Sequence, residues 1–278
     1  MESILDGTYV INMDSDIVRL QEFDTMMTAC NWNYSRHPAI NGKKMLYGKH
    51  TPEELETVQP QLALKHKYIK PITWLNSGEI GCLLSHVSLW EEVANNPDKN
   101  RIAIFEDDAR THISGDTFQT LLSDFYGYLK ENNIPEPDML YLGKALDDCM
   151  SYEKVWGNVY KTRHPLCLHA YIITKHGAQQ LLEMSPYFYA IDVIPIRAIN
   201  QKKINVMTFH PSLFFQDVFN STSNLRNFRN TINHTTECVV PQQHVSGDTW
   251  QFTFVIVIGL IAAIILFAAF MWLTLYKI

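Results

Sequence analysis

The chain has no Cys-x-x-Cys pair, and its five cysteines, Cys30, Cys82, Cys149, Cys167 and Cys238, are scattered and odd in number. This spacing excludes a zinc ribbon or finger and reads as a set of reduced thiols. Cys82 and Cys167 fall inside expected core elements, where a thiol acts as a small apolar side chain. A basic excess is also missing. Lys and Arg total 23 against 29 Asp and Glu, for a net charge of −6, which argues against nucleic acid as the main partner. No internal repeat is visible, so the 278 residues bound one substantial domain with an appendage.

The first residues, Met-Glu-Ser-Ile-Leu-Asp, lack both a positive n-region and an apolar run of leader length. Charge is absent over the longest stretch between 252 and 276, and about 20 apolar residues suffice to span a bilayer. Trp250 precedes this stretch, while Trp272, Tyr276 and Lys277 close it, as interfacial anchors would. The expectation is a C-terminal transmembrane helix over 251–276, a polar stalk over 218–250 rich in Asn, Ser, Thr and Gln, and a folded domain over 1–217. Without a leader, the span reads as a tail anchor that leaves the large domain in the cytosol. The sequons at Asn33, Asn220 and Asn233 are then read as unmodified chance matches.

The domain itself alternates short apolar runs with helical patterns. Strands are expected over 8–13, 102–105, 139–142, 168–174 and 204–209, and helices over 16–30, 80–94, 118–130 and 178–184. This alternation predicts an α/β fold with a mostly parallel central sheet, in which ligands bind at the carboxyl ends of strands. Asn76 and Glu79 have the spacing of a capping box ahead of the apolar stripe Ile80, Leu83, Leu84, Val87 and Ala94. Ser85 and His86 lie beside that stripe.

At one strand end stands Arg101-Ile-Ala-Ile-Phe-Glu-Asp-Asp108. Three consecutive carboxylates at a sheet edge repel one another, an arrangement that makes sense when a divalent cation sits there. A charged turn is the alternative. Strand alternation would send Glu106 and Asp108 to one side and Asp107 to the other, so the outer pair is expected to hold the metal, with Asp108 first. His210 follows the last apolar strand and is a further candidate ligand, since imidazole accepts Mn2+ alongside carboxylates. Asp192, set among apolar neighbours in Tyr189-Ala-Ile-Asp-Val-Ile-Pro195, is a candidate general base whose burial would raise its pKa. A helix cap is the competing reading there.

Tyr9-Val-Ile-Asn-Met13, Ser77-Gly-Glu-Ile-Gly-Cys-Leu-Leu-Ser-His86, Ile104-Phe-Glu-Asp-Asp108 and His169-Ala-Tyr-Ile-Ile-Thr-Lys-His-Gly-Ala178 resemble, in order and spacing, glycosyltransferase family 25. This is the lipooligosaccharide and procollagen galactosyltransferase family. Ala39-Ile-Asn-Gly42, Asp138-Met-Leu-Tyr-Leu-Gly143, Ile191-Asp192, Pro211 and Gln216 agree with it. The resemblance implies a nucleotide-sugar-binding, GT-A-like domain and a metal-dependent inverting transferase. Such an enzyme moves a hexose, galactose or glucose, from a UDP-sugar to a glycan or protein hydroxyl, with Mn2+ or Mg2+ as cofactor. It also implies that Asn12, Arg19, Ser85, His86 and Asp107 bind the donor, that Glu106, Asp108 and His210 hold the metal, and that Asp192 is the base. The chain departs from the family's usual basic pair after the first strand, having Asp14, Asp16 and a single Arg19. Two rivals follow from the same residues. One is an inactive relative acting as a membrane-anchored scaffold or glycan-binding protein. The other is a metal-dependent phosphohydrolase, which would need further His and Asp clusters for a two-metal site.

Overall fold

The computed structural model describes residues 4–216 and Cys238. In chain order the elements are β1 (Gly7–Asn12), α1 (Ile17–Ala29), β2 (Ser35–Pro38), α2 (Gly42–Tyr47), α3 (Pro52–Tyr68), α4 (Ser77–Asn95), β3 (Arg101–Glu106), β4 (Ala109–Arg110) and α5 (Gly115–Glu131). They continue with β5 (Met139–Ala145), β6 (Glu153–Trp156), β7 (Val159–Lys161), β8 (Leu166–Thr174), α6 (Lys175–Glu183), α7 (Val193–Asn200), β9 (Val206–Phe209) and β10 (Phe215–Gln216).

One sheet runs β2-β1-β3-β8-β5-β9-β7-β6, and a small ribbon joins β4 to β10. Pairings of β1 with β2 and β3, and of β5 with β9, are parallel. Those of β8 with β3 and β5, and of β7 with β9 and β6, are antiparallel. The α/β class and the mostly parallel sheet both stand: β2, β1, β3, β5, β9 and β6 share one direction, and only β8 and β7 run against them. The β6–β7 hairpin reverses the chain after β5, so that β8 enters between β3 and β5 against both.

Strand alternation splits the core between the two faces of the sheet. Ile102 and Ile104 of β3 pack with Tyr141, Tyr171 and Ile173 under Leu83, Leu84, Val87 and Trp90 of α4. Ala103 and Phe105 face the other way, with Leu140 and Ile172, onto Phe23 and Met27 of α1 and Phe118, Leu122 and Phe125 of α5. Each fully buried Leu or Phe of this kind stabilises the fold by about 1.5–3 kcal/mol.

Helix α4 starts where its sequence says it should. Asn76 Oδ1 accepts from the Glu79 N–H, and the Glu79 carboxylate accepts from the Asn76 N–H, which satisfies two backbone donors that the helix end leaves open. Capping accounts for Glu79.

Two expectations fail. Cys149 and Cys238 form a disulfide across a sequence separation of 89, where reduced thiols were expected. Disulfides belong to oxidising compartments, which runs against the reduced-compartment reading of the cysteines. Among the described residues no helix is long and apolar enough to cross a membrane, so the expected single-pass anchor finds no support there. The stretch proposed for it, 251–276, and the stalk over 218–250, apart from Cys238, lie outside the described residues.

Candidate active site

The acids sit where β3 gives out. Glu106 is its last residue, and Asp107 and Asp108 form the turn into β4. Alternation stops with the strand, so the expected division of the three acids does not occur. Asp107 and Asp108 come together on one cation: Nη2 of Arg19 lies 2.5 Å from Asp107 Oδ1 and 2.9 Å from Asp108 Oδ2. Glu106 turns toward α4, with His86 Nε2 at 3.2 Å and the Cys82 thiol at 3.9 Å from its Oε1.

Neighbouring strands complete the acid cluster. Asn12, ending β1, donates from Nδ2 to Asp107 Oδ2 at 2.7 Å and to the Asp16 carbonyl at 3.0 Å. Its own Oδ1 accepts from Arg36 Nε at 2.9 Å, and Arg36 also pairs with Asp14. The second cation expected near β1 thus arrives from β2 rather than from α1, which the sequence did not reveal. On the other flank, the β4–β10 pairing sets Gln216 opposite Ala109, and Gln216 Nε2 donates to Asp108 Oδ2 at 3.1 Å. Asp108 Oδ1 is buried with no hydrogen-bond partner among the described residues.

These groups do not titrate alike. Burial raises the Asp108 carboxyl first, the charges of Glu106 and Asp107 add to it, and Arg19 offsets part, leaving it at about 7. Asp107 is also raised by burial, against the pull of Arg19 and Asn12. Burial acts on Glu106 as well, but the His86 hydrogen bond and the nearby cationic groups outweigh it and hold that carboxyl below its usual range.

A cleft of about 610 Å³ opens over this cluster, lined by Arg19, Lys43, Ser77, Cys82, His86 and Glu106 to Asp108 among others, a size that suits a nucleotide-scale ligand. Its far wall depends on two glycines. A Cβ on Gly42 would lie 1.9 Å from the Ser77 carbonyl oxygen, and one on Gly81 would lie 2.4 Å from that of Ile40, so the segment before α2 lies directly against the first turns of α4. Ser85 locks this contact: its Oγ accepts from the Ile40 N–H at 2.8 Å and donates to the Gly81 carbonyl at 2.7 Å. Ser85 therefore lines the cleft while serving its wall. His86 is fully buried and tied through Nδ1 to the Tyr171 hydroxyl at 2.9 Å.

Asp192 is the residue immediately before α7 and makes no capping hydrogen bond, which removes the helix-cap reading of this acid; it is not among the residues lining the cleft. Its carboxyl accepts from the Cys167 backbone N–H. Cys167 has a left-handed φ of +67° at the irregular end of β8, a strained conformation for a non-glycine residue. Burial, then the charge of Glu106, lifts Asp192 to about 6, with His86 and the Cys167 N–H pulling the other way. His210 goes elsewhere. It packs edge-on to Tyr152 and Tyr160, with its ring nitrogen within 4.8 Å of the Cys149 and Cys238 sulfurs, and it is not among the residues lining the cleft.

The strand-end cleft of this α/β domain gathers Arg19, Lys43 and the carboxylates Glu106, Asp107 and Asp108, a mixed-charge lining that suits a phosphorylated ligand. The chain belongs to glycosyltransferase family 25: the family model described as glycosyltransferase family 25, LPS biosynthesis protein, matches residues 5–195. Similar proteins include the procollagen galactosyltransferase 1-A of Xenopus laevis, 34% identical over 118 residues, covering 40% of this chain and 18% of that protein. A glycosyltransferase 25 family member of Anopheles gambiae is 26% identical over 190 residues, 66% of this chain and 29% of that protein. The inactive glycosyltransferase 25 family member 3 of Mus musculus is 33% identical over 118 residues, with shares of 40% and 18%. The chain thus spans under a third of the length of these relatives.

Proposed function

We propose that this domain is a metal-dependent inverting glycosyltransferase that moves a hexose, galactose or glucose, from a UDP-sugar to a hydroxyl of a glycan or glycoprotein. The observation that carries the reading is Asp108: a buried carboxylate held at about 7, with one oxygen unpartnered and two acidic neighbours. Such a cluster is short of positive charge, and its oxygen donors suit Mg2+ or Mn2+. Asp108 and Asp107 would hold the ion, with Glu106 beside them, and the ion would neutralise the leaving diphosphate. His210, placed away from the cleft, is not carried into this set.

The chain's own residues do the rest. Arg19 and Lys43, both lining the cleft, supply donors suited to phosphate oxygens. Asn12, held by Arg36, fixes the orientation of Asp107. The acceptor hydroxyl attacks the anomeric carbon as its bond to the diphosphate oxygen breaks, and Asp192 takes the hydroxyl proton. A base poised near 6 is ionised at neutral pH yet basic enough to help.

One observation favours a second reading, a non-catalytic glycan-binding relative. The Arg19 guanidinium already occupies Asp107 and Asp108, as it would in a site that no longer needs a metal. Mn2+ calorimetry on the full chain separates the two. The enzyme reading expects stoichiometric Mn2+ binding that strengthens UDP affinity, whereas indifference of UDP affinity to Mn2+ supports the binding-protein reading.

A further inference from the structure

The wall of the cleft carries a second donor set, of which the transfer reading uses only Glu106, as a neighbour of the ion at Asp107 and Asp108. Cys82 and His86 lie four residues apart on α4, hence on one face of the helix, and Glu106 meets them from the end of β3. The Cys82 thiol, a ring nitrogen of His86 and a Glu106 oxygen all lie within 4.8 Å of one another. Tetrahedral zinc, with bonds of about 2.3 Å to sulfur and about 2.1 Å to nitrogen and oxygen, places its ligand atoms about 3.4 Å (N to O) and about 3.6 Å (S to O) apart. The structure has 3.2 Å from His86 Nε2 to Glu106 Oε1 and 3.9 Å from Cys82 Sγ to the same oxygen. These two edges are within a few tenths of an ångström of ligated ones, and the third, from sulfur to imidazole nitrogen, is within 4.8 Å.

The support behind it is also of the metal-site kind. Ligating histidines fix their ring through the other nitrogen, and His86 Nδ1 lies 2.9 Å from the Tyr171 hydroxyl, which in turn accepts from Trp90 Nε1 at 2.9 Å. All three first residues of the set line the cleft, so a fourth position is open to water or ligand.

We propose that Cys82, His86 and Glu106 form a binding site for a thiophilic divalent cation, Zn2+ or its spectroscopic substitutes Co2+ and Cd2+, distinct from the oxygen-donor site at Asp107 and Asp108. Ion binding replaces the Cys82 S–H bond by a sulfur–metal bond and releases that proton to solvent. The imidazole proton moves from Nε2 to Nδ1, where the Tyr171 oxygen accepts it, freeing the Nε2 lone pair for the metal. The bound ion ties α4 to β3 and stabilises the folded state by mass action.

The test titrates Co2+ and Cd2+ into the full-length protein in excess Mg2+, which keeps the oxygen-donor site filled. The expected results are a thiolate-to-metal charge-transfer band saturating at one ion per chain, about one proton released per ion, and a rise in melting temperature with Zn2+. Cys82→Ser should abolish the band while leaving the far-ultraviolet circular dichroism unchanged. Tyr171→Phe should weaken binding by about 10- to 100-fold, the usual effect of losing an outer-shell partner. A wild-type protein without the band, or a band that survives in Cys82→Ser, overturns the proposal. Because the readout is a spectrum under excess Mg2+ and not turnover, it stands or falls separately from the transferase reading.

Discussion

Replacing Asp192 by Asn tests the proton-transfer step with little structural disturbance. The amide oxygen can still accept from the Cys167 N–H that the carboxylate now engages, and no helix cap is lost because none is made. What disappears is the proton acceptor, an effect of about 10²- to 10⁴-fold on kcat, or about 3–5 kcal/mol of transition-state stabilisation. The pH dependence sharpens the test. With the carboxyl raised to about 6, about nine in ten sites are ionised at pH 7 and about one in ten at pH 5. With Mn2+ saturating, so that the ion keeps Asp108 ionised, the wild-type kcat/KM should therefore fall about tenfold as pH drops through that interval, and the residual activity of Asp192→Asn should not follow it. The assay is UDP release from a UDP-hexose in the presence of Mn2+, with UDP affinity measured in parallel. Loss of UDP binding in proportion to turnover, or a variant that keeps the wild-type pH profile, would refute the assignment.

Other perturbations probe the site and its frame. Asp108→Asn should reduce Mn2+ affinity by more than the about 10- to 100-fold that outer-shell changes cost, read by calorimetry; turnover persisting in excess chelator would contradict the ion's role. Gly42→Ala drives a methyl to within 1.9 Å of the Ser77 carbonyl oxygen, so it should destabilise by about 1–3 kcal/mol and raise the donor KM by shifting α4 at the cleft wall. Phe125, fully buried on α5 and packed against Trp156 and Phe209, should cost about 3–5 kcal/mol when cut to Ala, visible as a lower urea midpoint with the divalent-ion requirement unchanged.

The parts of this architecture that sequence makes legible are those set by local rules. The strand run before Glu106 and the apolar stripe and capping box of α4 follow from periodicity, and the structure places them as expected; the acids lie at the strand end as charge suggests, though not divided between its sides. Long-range pairing was not legible. Nothing in Leu166–Thr174 says that β8 inserts antiparallel between β3 and β5, because an antiparallel entry depends on the short, charged β6–β7 hairpin upstream. Helix α3 falls outside the expected elements: it is largely polar and holds an internal Pro60, although Thr51 and Glu54 form a readable capping box. The pairing of Asp107 with Asp108 on Arg19 required knowing that β3 ends at Glu106, a boundary that a three-residue acidic run leaves open. The Cys149–Cys238 bridge joins residues 89 apart, beyond any spacing rule. His210 shows the converse error: its position at a strand end was read correctly, but that strand, β9, lies away from β3 with β8 and β5 between them.

The most direct measurement of the central claim is UDP release by the full-length protein across a panel of nucleotide sugars, with Mn2+, with chelator, and with Mn2+ restored. The account predicts release from UDP-galactose or UDP-glucose that chelator abolishes and Mn2+ restores, and that Asp108→Asn lacks. Release that is indifferent to chelator, or its absence with every donor while UDP still binds, would contradict it.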